Sequence, residues 1–259
     1  MPNSSDWNSL VPPDSRFPSP NKNSRKPAAQ NPTHIVIHVT GTDSLDSVKN
    51  TFLAANSVSA HYLITKDGQV LQFVPDAFRA WHAGIETTVR TLYKKGASQW
   101  TRYLKYFSWY EGYPAGSLYV NGDLQPVWDK TEAAFVARPD ESPWSEYSYF
   151  LSRWPGRNAP VNFEVDPDPN NYSIGIETLG FGAQSADPAV YTPAMYASLR
   201  TLVSDLSRKY GIPRTKGRIV GHEDVNPVAR FGWDPSSGFE WPRVYQSRLT
   251  RRLSRRKLR

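Results

Sequence analysis

Short runs dominated by apolar positions alternate along the chain with stretches of helical spacing. "THIVIHVT", residues 33 to 40, is rich in β-branched residues and bounded by Pro32 and Gly41, the pattern of a buried strand. Leu45, Val48 and Phe52 then recur at helical spacing behind Ser44, whose hydroxyl suits a helix N-cap. "AHYLITKDGQVLQFVP" reads as a hairpin, two alternating runs joined around Lys66-Asp67-Gly68. In "YSIGIETLG", alternation puts Ser173, Gly175 and Glu177 on one strand face and Ile174 and Ile176 on the other. The strongest helix covers residues 193 to 210, with Thr192 as cap, Pro193 in the first turn and Gly211 just past the end. Met195, Leu199, Leu202, Leu206 and Tyr210 form its apolar stripe. "GRIV" gives a last short strand running into His222. Strands and helices mixed along one chain predict an α/β domain, a central mixed β-sheet flanked by helices.

Three regions depart from this pattern. Residues 85 to 171 hold five of the nine tryptophans and eight tyrosines, with many prolines and glycines and no long periodic helix. A linker would not be so aromatic, so a long aromatic-rich insertion within the main fold is expected. Residues 1 to 30 are rich in Pro, Ser and Asn and have no apolar run, which predicts a flexible N-terminal arm rather than a secretory signal peptide. "GHEDVNPVARFGWDP", residues 221 to 235, contains two glycines and two prolines and reads as a loop. The domain itself is placed at residues 31 to 247.

Composition narrows the classes. A chain of 259 residues, 39% hydrophobic and 21% charged, fits one large globular domain or two small ones. The absence of cysteine removes disulfides, thiolate zinc sites and cysteine nucleophiles. No apolar run approaches the roughly 18 to 20 residues of a membrane span. The net charge of +7 lies in the tail: residues 248 to 259 hold seven basic residues and no acid, and removing those seven from the 31 leaves a balance with the 24 acidic ones. Such a block suits contact with an anionic surface, or else a solvated helical end. Nucleic acid is not an expected partner, since charge alone would support it.

Candidate chemistry lies at strand ends. His38 is near the end of one predicted strand, His222 follows another, and Asp234 closes the loop beyond it. If the two strands are neighbours, two imidazoles and a carboxylate converge at one sheet edge, a donor set common in catalytic zinc sites. Glu177, on a polar strand face, would be a general base near them. Spacing alone equally fits hydrogen-bonded structural histidines. The chain has no HExxH, GxSxG or GxxxxGK[ST] motif.

Read together and in order, "HIVIHVTG", "VSAHYLITKDGQVLQFVPDAFRAWHAG", "NNYSIGIETLG" and "IVGHEDVNP…WDP" resemble the zinc-dependent N-acetylmuramoyl-L-alanine amidases of the AmpD and T7-lysozyme type. That family includes the peptidoglycan recognition proteins. The resemblance covers about residues 33 to 84 and 172 to 242, not the arm, the insertion or the tail. It implies one zinc ion per chain held by His38, His222 and Asp234, with Glu177 activating water. It makes Trp81 and His82, in "WHAG", candidates for a substrate-cleft wall, and His61, in "SAH", a structural residue. Relatives of the AmpD type carry a lysine two residues before the third ligand, where this chain has Gly232. Arg230 is the nearest cation and the candidate replacement; Trp233 is expected beside the metal or in the cleft. The implied reaction is hydrolysis of the amide between N-acetylmuramic acid and L-alanine in peptidoglycan or muropeptides. The alternative is a non-catalytic module that binds peptidoglycan. Without a signal peptide, synthesis in the cytoplasm and action on the bacterial cell wall after release or delivery are expected, ahead of cytoplasmic recycling.

Overall fold

The computed structural model describes residues 7–26, 31–84, 168–181, 190–215, 217–225, 230, 234–236 and 238–245, with four short strands between 119 and 136. The basic tail, Gly232, Trp233 and most of the aromatic insertion lie outside the described residues. In chain order the strands are β1 (Lys22–Ser24), β2 (His34–Val39), β3 (Tyr62–Ile64), β4 (Val70–Gln72) and β5 (Phe78–Ala80), then β6 (Tyr119–Val120), β7 (Asp123–Leu124), β8 (Val127–Asp129), β9 (Ala134–Val136), β10 (Ser173–Thr178) and β11 (Ile219–Gly221). The helices are α1 (Leu45–Leu53), α2 (Pro193–Tyr210), α3 (His222–Val225) and α4 (Pro242–Tyr245).

Five strands form the central sheet in the order β11-β2-β10-β3-β4. The first four run parallel and β4 is antiparallel to β3, so the sheet is mixed, as the alternating pattern predicts. Ile35, Ile37, Tyr62, Ile64, Ile174, Ile176 and Ile219 form one core with Met195, Leu199, Leu202 and Leu206 of α2. Burying each such side chain contributes about 1.5–3 kcal/mol. A second core joins Val48 and Phe52 of α1 to Leu63, Leu71 and Phe73. Since Leu63 alternates with Tyr62 and Ile64, α1 covers the opposite side of the sheet from α2. Helix α2 has its predicted ends: the Thr192 hydroxyl accepts from Met195 N at 3.1 Å, and Gly211 stops it in a left-handed conformation. The Ser44 hydroxyl likewise accepts from Ser47 N at 3.2 Å at the start of α1.

The amino-terminal segment is not a flexible arm over residues 7–26. Strand β1 pairs antiparallel with β5, and Asn8, Val11, Ser15, Ser19, Asn21 and Arg25 are buried. Polar side chains hold it: Asn21 Nδ2 donates to the carbonyls of Phe52, Ala54 and Val58. Arg25 donates to the carbonyls of Asp76, Asn170, Asn171 and Ser173. A composition poor in apolar residues hides an attachment made by side chain to backbone bonds. The stretch 221–235 is not wholly a loop either. Gly221 ends β11 and His222–Val225 forms a turn of helix, with Asp224 Oδ2 accepting from Gly221 N at 2.7 Å. The first proline of the stretch, Pro227, comes after that turn is complete.

Candidate active site

Topology brings the predicted residues together. Strand β11 lies beside β2 and parallel to it, so His38 near the end of β2 and His222 immediately after β11 reach the same sheet edge. On the other side of β2, Glu177 of β10 stands opposite His38 in register. Asp234 arrives from beyond α3 and is fixed by its backbone: its carbonyl accepts from Glu223 N at 2.8 Å, and its Oδ1 accepts from Val39 N at 3.0 Å. Gly221 permits this approach, because a Cβ there would lie 2.7 Å from Pro235 Cδ.

The anchored Asp234 presents Oδ2 at 2.9 Å from His222 Nδ1 and 3.6 Å from His38 Nδ1. One donor atom from each of the three buried residues lies within 4.8 Å of the others. A tetrahedral zinc with arms of about 2.0–2.1 Å has edges of about 3.3 Å, and the two measured separations straddle that value. Two nitrogens and one oxygen form a donor set that fits such an ion.

The electrostatics separates the two carboxylates. Burial would raise Asp234, but the His38 and His222 imidazoles outweigh it and hold the carboxyl well below the usual range. Burial pushes Glu177 well above it, the Asp234 charge adds to that shift, and Arg230 opposes it. Glu177 Oε2 is sealed from solvent with no hydrogen-bond partner among the described residues, and so is His222 Nε2. Arg230 is half-buried and its charge acts on both Glu177 and His38.

His82 is not on a cleft wall. It is buried, with Nδ1 3.0 Å from His38 Nε2 and Nε2 3.3 Å from Ser173 Oγ. Its ring fills the space that a Cβ on Gly175 would take, only 2.4 Å from His82 Cγ. Spacing gives no sign of this; the glycine inside β10 does, because a strand glycine often marks close approach by another group. Trp81 lies half-buried at the surface, its indole N–H donating to Asn23 Oδ1. His61 is fully bonded: Nδ1 accepts from Gly175 N at 3.0 Å and Nε2 donates to Phe78 O at 3.0 Å, as a structural residue should.

The chain is similar to known proteins along most of its length. Residues 28–237 match the family model described as N-acetylmuramoyl-L-alanine amidase. The 1,6-anhydro-N-acetylmuramyl-L-alanine amidase AmpD of Escherichia coli (strain K12) is 35% identical over 246 residues, 88% of each chain. The AmpD of Haemophilus influenzae is 37% identical over 87 residues, 33% of this chain and 42% of that one. The crystal structure of a selenomethionine AmpD derivative superposes with a TM-score of 0.52 at 22% identity, covering 94% of this chain and 97% of the other, which supports the fold. The chain belongs to the N-acetylmuramoyl-L-alanine amidase family and is an enzyme of that family.

Proposed function

We propose that this protein hydrolyses the amide between N-acetylmuramic acid and L-alanine in muropeptides, 1,6-anhydro-N-acetylmuramyl peptides foremost, with one zinc ion held by His38, His222 and Asp234. The observation that carries the reading is the meeting of those three side chains at 2.9 and 3.6 Å beside a register-paired Glu177. The substrate follows the names of the AmpD relatives that match along 88% of this chain. Zinc at this site would acidify water and polarise the scissile carbonyl.

The chain's own residues supply the rest. Asp234 Oδ1 accepts from Val39 N at 3.0 Å, a bond that favours the ionised carboxyl, so Asp234 offers full negative charge to a cation. Burial raises the proton affinity of Glu177 while the Arg230 charge favours its ionised form, so its carboxylate is suited to take a proton from water and return it to the leaving amine. Arg230 places positive charge close to Glu177 and takes the part that a lysine would play at Gly232, steadying the oxyanion of the tetrahedral intermediate. Trp81 and Trp233 are proposed contacts to the sugar or stem peptide, and the tail, 248–259, a contact to an anionic surface. No described helix is long and apolar enough to cross a membrane.

The test is turnover of a synthetic 1,6-anhydro-N-acetylmuramyl tripeptide before chelation, after it, and after zinc is returned. Loss and recovery are expected. Full activity after exhaustive chelation would overturn the metal reading.

A further inference from the structure

We infer that His82 is a positioning residue: with Ser173 and Gly175 it locks His38 in the tautomer protonated on Nε2, so that the bare Nδ1 faces the metal. The inference rests on the zinc reading above for what Nδ1 meets, but not for which nitrogen carries the proton.

The proton count runs along one chain of contacts. Ser173 has a single hydroxyl proton and gives it to Pro169 O at 2.8 Å, so its oxygen is left to accept. His82 Nε2, at 3.3 Å from that oxygen, therefore carries the His82 proton. His82 is buried, and among the described residues its ring nitrogens meet only Ser173 Oγ and His38 Nε2, with no carboxylate against them. A buried imidazole without a counter-charge is neutral, so it has one N–H and its Nδ1 is an acceptor. His38 Nε2 lies 3.0 Å from that acceptor and must donate to it. His38 Nδ1 is then a bare lone pair, facing the carboxylate oxygen Oδ2 of Asp234 at 3.6 Å. Two acceptors turned toward each other with no proton between them form an arrangement completed by a cation.

The surrounding residues hold the ring of His82 to this task. Its backbone N and that of Ala83 donate to Asn170 Oδ1 at 3.0 and 2.7 Å. The three positions on this face of β10 divide the work: Ser173 accepts from the ring, Gly175 makes room for it, and Glu177 is the candidate base. Metal-binding histidines ordinarily give their second N–H to a carbonyl, carboxylate or water, and loss of such a partner typically weakens metal binding about 10- to 100-fold. Here the partner is a second, neutral imidazole.

The experiment compares wild-type protein with His82→Phe, which keeps a flat ring without an acceptor, and His82→Asn, whose amide oxygen takes the place of Nδ1. Nitrogen NMR on metal-free protein reads the His38 tautomer, and zinc affinity is measured by competition with a chelator. Expected are an Nε2-protonated His38 in wild type, a mixture of tautomers in His82→Phe, and zinc affinity about tenfold or more weaker there, with most of it recovered in His82→Asn. A His38 protonated on Nδ1 in wild type, an unchanged tautomer in His82→Phe, or undiminished zinc affinity in that variant would overturn the inference. If wild type took up no zinc, the metal reading alone would fail, and the tautomer spectra would still decide the role of His82.

Discussion

Two buried polar clusters share strand β10 and are built in opposite ways. Around Arg25 the bonds close. Its guanidinium reaches four backbone carbonyls, and both nitrogens of the neighbouring His61 are bonded to backbone. Asp76 in turn accepts from Tyr62 and, at 3.0 and 3.2 Å, from Lys209 and Tyr210. Around His38 the bonds stay open: Glu177 Oε2 and His222 Nε2 are buried without partners among the described residues. A polar cluster whose members are all satisfied fixes a fold. Unmatched buried groups cost stability and persist where something else is to be bound or moved. The comparison teaches that titratable residues at equal burial are told apart by what remains unbonded.

Substitution at the open cluster should give the largest effect. His38→Ala, His222→Ala and Asp234→Ala should each abolish both zinc uptake and turnover, and a variant that keeps wild-type turnover would remove that residue from the metal set. Glu177→Gln should retain zinc but lose turnover by on the order of 10² to 10⁴-fold; near wild-type rates would assign the proton to another group. Arg230→Ala should lower kcat by about 10²-fold with unchanged zinc content, and Arg230→Lys should regain part of it. An unaltered kcat in the alanine variant would return Arg230 to a purely structural role.

The closed cluster should respond in stability instead. Arg25→Lys gives up the planar fork and cannot reach all four carbonyls, so unfolding should become easier by about 2 kcal/mol, read from denaturant midpoints. Turnover per folded molecule should hardly move. Acid tests the same cluster more gently. Burial first, then the charge of Arg25, holds the pKa of His61 well below its ordinary value. The unfolded chain takes up a proton near pH 6.5 while the folded one does not, so stability is full above that pH and falls as pH drops below it. The slope is at most about 1.4 kcal/mol per pH unit for each such histidine. His61→Gln should flatten that slope, and an unchanged slope would show that other groups set it.

Much of the open cluster is legible in the sequence, because ligands at the ends of short apolar runs leave a pattern. The strand "HIVIH", the strand face Ser173-Gly175-Glu177 and the capped helix 193–210 appear where spacing puts them. The closed cluster is not legible. Asn8, Asn21 and Arg25 attach the first segment through bonds to residues 64, 31 and 145 positions away, and neither composition nor periodicity records bonds over such separations. His82 falls between the two cases. Its "WHAG" turn is visible, but its place beneath Gly175 depends on two strands meeting in space.

One measurement tests the central claim most directly: mass spectrometry of the products that wild type, Asp234→Ala and Arg25→Lys release from a 1,6-anhydro-N-acetylmuramyl tripeptide, at matched amounts of folded protein. The account predicts the same pair of products, anhydro-N-acetylmuramic acid and a tripeptide with a free L-alanine amine, from wild type and Arg25→Lys, and none from Asp234→Ala. Cleavage by Asp234→Ala, or a wild-type product broken at any other bond, would contradict it.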